Sequence, residues 1–325
     1  MSDTTTTTPA CVQNVLLALD GSAASIEAAE LLAHLPRTQR QRLTILTVVQ
    51  RPFVHSSYAT GELLDKAYQR DRELAFETYA KVREIFEGAN VEIEHKIGAG
   101  PIAETIVEMA DETDADLLVI GARGHSTITR LLLGSISDYV ATHAPCSTLV
   151  VRSTGLKESA RPLRLGLAYI DSGASVAALQ EIGEFPWRTG SEFHLITVQT
   201  YLSDFIGERI IEDAPELANH YREVLATAKQ ALVKSAPNAQ SHLIRSDHVG
   251  EGLVSFAQEH ELDIMVVGEN KRTALGRLFL GSTSRFVLRH APCSVWITRN
   301  RVIENDKSTG AEASAVPPPS VTPTH

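Results

Sequence analysis

Along the chain, short apolar runs rich in β-branched residues alternate with longer stretches in which apolar residues recur at helical spacing, and the whole pattern occurs twice. In the first round the runs are Val12–Leu19, Leu43–Val49, Val91–Ile97, Leu117–Gly121 and Thr148–Val151. Their apolar character is continuous, which predicts strands buried on both faces of a parallel sheet. The stretches between them predict helices. Ser22–Leu35 opens with a Ser cap, and Glu62–Glu87 keeps Leu64, Tyr68, Leu74, Tyr79, Val82 and Phe86 at helical spacing before stopping at Gly88. Pro101–Thr113 starts with proline in its first turn, and Ser135–His143 ends at an Ala-Pro break. The second round predicts strands at Leu163–Tyr169, Glu192–Gln199, Ala239–Arg245, Asp263–Gly268 and Ser294–Thr298, with a long helix over Ala214–Ser235. Strands alternating with helices in this way build crossover units, so the fold class is α/β.

The two rounds are copies. Leu131–Ser147 aligns with Leu278–Ser294 at an offset of 147 residues, and Asp116–Gly121 falls on Asp263–Gly268 at the same offset. A period of that length is a domain, not a solenoid unit, so the chain is a tandem duplication. Its 325 residues suit two domains. The boundaries read as 12–152 and 162–299, with a polar linker at 153–161. The ends, 1–11 and 300–325, are too poor in apolar residues to pack and are expected to be disordered. So short a linker favours two domains packed on each other. Each copy ends in an apolar strand, which would pair within the chain or with a second copy as a homodimer.

Forty acidic against thirty basic residues leave a net charge of −10, which argues against electrostatic capture of nucleic acid. No apolar run approaches the roughly 18–20 residues that span a bilayer. The threonine-rich start lacks the basic segment and apolar core of a signal peptide, so a cytoplasmic location is expected. Cys11, Cys146 and Cys293 are too far apart for a disulfide framework and read as reduced thiols. His143-Ala-Pro-Cys146 and His290-Ala-Pro-Cys293 have the wrong internal spacing for a zinc finger and read as packing residues, as do Trp187 and Trp296.

In an open parallel sheet ligands bind beyond the carboxyl ends of the strands where the strand order reverses, so the residues after the first and fourth strands are candidates. After the first strand stand Asp20-Gly21-Ser22. After the fourth come Gly121-Ala-Arg-Gly124, nine residues, then Gly134-Ser135. Glycines allow the backbone to approach phosphates, and Ser135 heads a helix whose free N–H groups attract an anion. Arg123, His125 and Arg130 add local positive charge to an acidic chain. Neither common phosphate loop is present, that is, no Gly-x4-Gly-Lys-Ser/Thr and no Gly-x-Gly-x-x-Gly after the first strand. Two structural readings compete with this one: Asp20 as a helix cap, and Gly121 and Gly268 as sites of close helix packing.

Taken together, Val15–Ser22, the run Val119-Ile-Gly-x2-Gly-x9-Gly-Ser135 and His143–Val151 resemble the universal stress protein family in tandem form, over residues 12–152 and 163–299. The resemblance implies two Rossmann-like domains, each a five-stranded parallel sheet of order 3-2-1-4-5, paired through their last strands. It also implies ATP as ligand. Asp20 and Val48 match the nucleoside end, and Gly121, Gly124, Gly134 and Ser135 the phosphate end, with Ser137 just inside the helix; Arg123 joins the candidate binding residues by its charge. Magnesium carried by ATP would lie near Asp20.

The second copy departs from the motif. Asp171, Val198, Gly268, Gly281 and Ser282 correspond to site positions, but Lys271 stands where the second glycine belongs and Glu269 brings a negative charge beside the expected phosphates. A Lys side chain there would crowd the loop out of its binding shape, which predicts one working site, in the first copy; the alternative is that its ammonium neutralises a phosphate in a different pose and leaves a weak second site. The favoured function is an ATP-binding regulatory protein acting on a protein partner the sequence does not identify. Slow ATP hydrolysis, as in the adenine nucleotide α-hydrolase superfamily, and small-ligand carriage through the loops Pro52–Gly61 or Tyr201–Gly207 are the alternatives.

Overall fold

The computed structural model describes residues 12–37, 39–50, 61–124, 133–155, 161–187, 191–200, 215–269 and 280–299. Outside them lie the two chain ends, the middle of the linker, nearly all of Pro52–Gly61, the whole of Tyr201–Gly207, and Cys11, His125, Arg130 and Lys271.

In the first half the elements run β1 (Asn14–Ala18), α1 (Ala23–His34), β2 (Gln41–Val49), α2 (Gly61–Ile85), β3 (Val91–Ala99), α3 (Ile102–Glu112), β4 (Leu117–Gly121), α4 (Ser135–His143) and β5 (Ser147–Val151). The second half repeats the series as β6 (Arg164–Ala168), α5 (Gly173–Gly183), β7 (Glu192–Thr200), α6 (Pro215–Ala231), β8 (Gln240–Ser246), α7 (Val249–Glu259), β9 (Ile264–Glu269), α8 (Ser282–His290) and β10 (Ser294–Arg299). All ten strands form one sheet of order β3-β2-β1-β4-β5-β10-β9-β6-β7-β8. Within each half every pairing is parallel, in the order 3-2-1-4-5. The halves meet through β5 and β10, which run antiparallel with Leu149 opposite Trp296.

Burial follows position in the sheet. β4 and β5 are buried at every residue, as their continuous apolar runs require. β3 has one buried residue, Gly98, among exposed and half-buried ones, and β8 is mostly half-buried. These two do not meet the expectation of strands buried on both faces, because each is an edge strand with a neighbour on one side only.

The seam is held by matched side chains. Arg299, 1% exposed, donates from Nη1 to Cys146 O and Thr148 Oγ1 (both 3.2 Å) and from Nη2 to Ala141 O and Thr142 O at the end of α4. Its counterpart 147 residues earlier, Arg152, donates from Nη2 to Leu288 O of α8 (2.8 Å). Asp138 and Arg289 add an exposed ion pair at 3.1 Å. Trp296, fully buried, donates to Glu181 Oε1 (3.0 Å), while Ser147 donates to the other oxygen of that carboxylate (2.7 Å). Trp187 donates to Ile182 O (2.9 Å), so both tryptophans are packing residues with satisfied N–H groups.

Strand register sets the equivalence between halves. Leu17 pairs with Ile45 as Leu167 pairs with Leu195, and Leu19 N–H donates to Leu46 O (2.8 Å) as Tyr169 N–H donates to Ile196 O (2.9 Å). The offset in this part of the domain is therefore 150, against 147 near the last strands.

Candidate functional site

The strand order reverses between β1 and β4, and a cleft of about 90 Å³ opens beyond their carboxyl ends. Its floor is apolar: Leu46 and Val48 from β2, Ile102 and Ile106 from α3, Ile120 from β4 and Ile136 from α4 line it. Its polar rim is Asp20, Ser25, Arg123 and Ser137, with the backbone of Gly121 and Gly124.

Chain geometry places each of these groups. After β1, Gly21 adopts φ +80, a conformation open to glycine, and turns the chain into α1. Ser22 caps that helix, its Oγ accepting from Ser25 N–H (3.3 Å). Asp20 is not the cap. Its Oδ1 accepts from Ser22 N–H (2.9 Å) and from Ser22 Oγ–H (2.6 Å), and this fixes the exposed carboxylate at the mouth of the cleft.

The glycines divide by cause. A Cβ at position 121 would lie 2.7 Å from the backbone carbon of Ala24 in α1, and one at 268 would lie 2.6 Å from that of Ala174 in α5. Close helix packing thus demands glycine at both, whatever else they do. Gly124 is different: a Cβ there would lie 2.7 Å from Asp20 Oδ2, so a side chain would push into the carboxylate that borders the cleft. Gly134 is the N-cap of α4 and brings no side-chain cap; its N–H donates to Ala122 O (2.9 Å). The first intrahelical bond is Asp138 N–H to Gly134 O (2.9 Å), so the amides of Ser135, Ile136 and Ser137 precede the helix ladder and point out of its N-terminus. Ser135 is exposed there. Ser137 is 3% exposed and donates to Gly121 O (2.8 Å), tying α4 to the end of β4.

The second half assembles the corresponding place differently. By strand register the counterpart of Asp20 is Ile170, 51% exposed, and Asp171 stands where Gly21 does. The expectation that Asp171 repeats Asp20 is corrected: the carboxylate is displaced by one residue along the turn, and Ser172 is the helix cap, in a capping box with Ser175. Val198, which matches Val48, is covered, since a Cβ at Gly252 of α7 would stand only 3.0 Å from Val198 Cγ1. At the N-terminus of α8, Gly281 N–H donates to the carboxylate of Glu269 (2.9 Å). That amide is thereby already given to an anion from the same chain, and Ser282, the exposed first residue of α8, stands beside it.

The His-Ala-Pro-Cys segments carry no site chemistry in this arrangement. His143 and His290 stack on Tyr139 and Phe286 and hydrogen-bond through Nδ1 to the carbonyls of those residues (2.8 Å each). Cys146 and Cys293 are buried, and burial pushes the Cys293 thiol up to about 12. Among the described residues no group of three or more His, Cys, Asp or Glu is placed to hold a metal ion.

The sequence reading found Asp20, Val48, Arg123 and Gly124 together at this cleft. It missed Ile102, Ile106 and Ile136, although an isoleucine pair four apart at the start of α3 was a visible signal. It also missed Arg152, just after β5, and Arg299, the last residue of β10, buried where a charge is unexpected.

Comparison with known proteins agrees with this architecture. The chain matches the model of the Universal stress protein family at residues 12–152 and again at 164–299. A candidate universal stress protein of Staphylococcus haemolyticus is 28% identical over 154 residues, 46% of this chain and 90% of that protein. The crystal structure of a universal stress protein from Archaeoglobus fulgidus superposes with a TM-score of 0.61 at 19% identity, over 89% of this chain and 97% of that one. A candidate universal stress protein from Pseudomonas aeruginosa gives 0.56 at 16% identity, covering 89% and 93%. At those identities the structural likeness speaks for the fold.

Proposed function

We propose that this chain, which belongs to the universal stress protein family and carries two copies of its fold in tandem, holds one ATP in its first half and uses it as a regulatory ligand. One observation carries the reading: an apolar floor, a glycine-lined turn against Asp20 and an uncapped helix N-terminus meet at the end of β1 and β4. An adenine ring suits the floor of Val48, Ile102 and Ile106. The phosphates suit the turn at Arg123 and Gly124 and the amides that open α4. Asp20 fits magnesium carried by ATP as a single carboxylate beside it, with Oδ1 already engaged by Ser22 and most ligands left to phosphate oxygens and water.

Regulation follows from α4 itself. This nine-residue helix faces the ligand at its N-terminus and receives Arg299 of the second half at its C-terminus. A ligand that prefers one position of α4 shifts the seam between halves by its differential affinity, and so alters the surface offered to a protein partner.

The test is to denature freshly purified full-length chain and resolve ATP, ADP and AMP by chromatography. One ATP per chain is the expected result. No nucleotide, and no heat on titrating ATP with magnesium, would overturn the reading; ADP or AMP in its place would redirect it to hydrolysis.

A further inference from the structure

The second half gathers three histidines at positions where the first half has none. His194 of β7, His242 of β8 and His260, the C-cap of α7, bring their ring centres within 5.1–5.5 Å of one another. By strand register the counterparts of His194 and His242 are Thr44 and Lys96, and by the 147-residue offset the counterpart of His260 is Thr113. Phe256 closes the group from α7, stacking on His260 at 3.8 Å and meeting His242 at 4.8 Å. Burial is deep, with His194 only 3% exposed.

The hydrogen bonds leave room for few protons. His260 Nδ1 faces Phe256 O (3.1 Å), which can only accept, so that nitrogen carries the hydrogen. His194 Nδ1 and His242 Nε2 lie 3.0 Å apart, so one donates and the other accepts. A first proton taken up by this pair leaves the bond intact, because it settles on an outer nitrogen. A second sets N–H against N–H and breaks it. His194 Nε2 is itself buried without a partner, with Glu192 Oε2 4.0 Å away, too far for a hydrogen bond.

The charged groups around the rings do not offset added protons. Arg164 of β6, whose charge acts on His194, is engaged with Glu192 (3.3 Å) and Glu261 (2.6 Å). Glu259, the last residue of α7, is exposed. Among the described residues no carboxylate hydrogen-bonds to any of the three rings. Burial first, and then the neighbouring imidazoles, hold His194 and His242 below the ordinary histidine value.

What these rings support is the docking of α7. Phe256 shares a core with Ile196 and Val198 of β7, and the backbone of α7 comes so close that a Cβ at Gly252 would stand 3.0 Å from Val198 Cγ1. We infer that the three histidines form an acid-sensitive latch: uptake of two protons releases the last turn of α7 from β7 and β8 and uncovers the apolar face at Ile196 and Val198, while the first half keeps its packing. The His194–His242 bond is the element that breaks, and the nearby His260 ring adds repulsion that grows with charge. Thr44, Lys96 and Thr113 give the first half no such pair. The assignment is independent of what the cleft of the first half binds.

The experiment is amide hydrogen exchange of the full chain, read by mass spectrometry from about pH 7 to about pH 5 and corrected for the intrinsic pH dependence of exchange. A ring that stays neutral while α7 is docked and charges once it is released shifts the opening by about tenfold per pH unit below about 6.5. Two rings give about a hundredfold per unit, and peptides of α7 and β8 are expected to lose protection with that steeper slope while β1, β4 and β5 keep theirs. His242→Gln keeps a hydrogen-bonding partner for His194 Nδ1 but cannot charge. Its slope should fall to about tenfold per unit or less with protection at neutral pH unchanged, which loss of a merely structural histidine would not produce. Should that variant already be loose at neutral pH, His194→Thr, which copies Thr44, serves instead with the same expected slope. A slope of about tenfold per unit or less in the unaltered chain would overturn the inference. So would an unchanged slope in the variants, or protection lost from α7 and the first half together.

Discussion

The same helix N-terminus is built twice in this molecule and used in two ways. At α4 the Gly134 amide is answered by a neighbouring backbone carbonyl, Ala122 O, and the next amides point outward; at α8 the Gly281 amide is answered by the Glu269 carboxylate. Residues 122 and 269 are counterparts at the 147-residue offset, so where the first half has alanine the second has a glutamate that brings a carboxylate to the helix N-terminus. The rest of the second half agrees with that change: Ile170 replaces Asp20, and α7 closes over Val198. A duplicated fold can thus keep its scaffold while a few residues at strand ends diverge, because packing constrains the sheet more than the loops beyond it.

The largest expected effect concerns the seam that joins the halves. Arg299 satisfies several carbonyls at the end of α4, so Arg299→Met should strand them and cost about 3–4 kcal/mol in chemical denaturation. Arg152→Met should cost far less. Arg152 makes one side-chain bond to Leu288 O, its Nη1 is buried without a partner, and burial pulls its guanidinium below the ordinary value. Equal losses for the two variants would show that the seam is energetically symmetric.

Acid should separate the halves next. His194, 3% exposed, is held down to about 4, first by burial and then by His242, His260 and Arg164; Glu192 stands 4.0 Å from its Nε2, and Phe256 meets its ring edge-on. Its value in the folded state lies below that of the unfolded chain, about 6.5, so the unfolded state binds more protons between those limits. Stability is therefore fully present above about pH 7 and is lost as pH falls from 6.5 toward 4, by about 3 kcal/mol at most. By register the first half has Thr44 at this place, and His194→Thr should flatten the pH dependence of the melting temperature. An unchanged slope would assign acid lability elsewhere.

Much of this was legible in the sequence because it follows from hydrophobic pattern. The continuous runs at Leu117–Gly121 and Thr148–Val151 could only be central strands, and the 147-residue repeat fixed the architecture once a crossover fold was recognised. Chemistry at the strand ends was less legible. Asp20 and Asp171 look alike when aligned by residue type, yet the ladders place Asp171 one residue later, and a shift of one cannot be seen without the register. Glu269 was visible as a misplaced charge, but its docking on the Gly281 amide depends on the path of the chain.

The cleft proposed to hold the nucleotide supplies a sharper test of the comparison. Gly124→Lys places in the first half the residue type found at position 271 of the second, and its Cβ would crowd Asp20 Oδ2. ATP affinity is expected to fall about a hundredfold, roughly 2.7 kcal/mol, with the melting temperature nearly unchanged because position 124 is exposed. Retained ATP in that folded variant would mean that the glycine turn does not hold the phosphates.

The smallest effect is expected from the reverse exchange. Glu269→Ala copies Ala122 and frees the Gly281 amide, at a stability cost of about 0.5–1 kcal/mol for the lost carboxylate at the start of α8. Removing the built-in anion does not by itself make a second nucleotide site. Ile170 still offers no carboxylate, and Gly252 still brings α7 against Val198, so the space for a base stays filled. The chromatographic count of released nucleotide should therefore remain at one ATP per chain. Two per chain would identify Glu269 as the sole barrier and make the second half a site held shut by one side chain. An unchanged count, with α8 slightly less stable, would mean that three separate places keep a nucleotide out of the second half: the strand end, the covering helix and the helix cap.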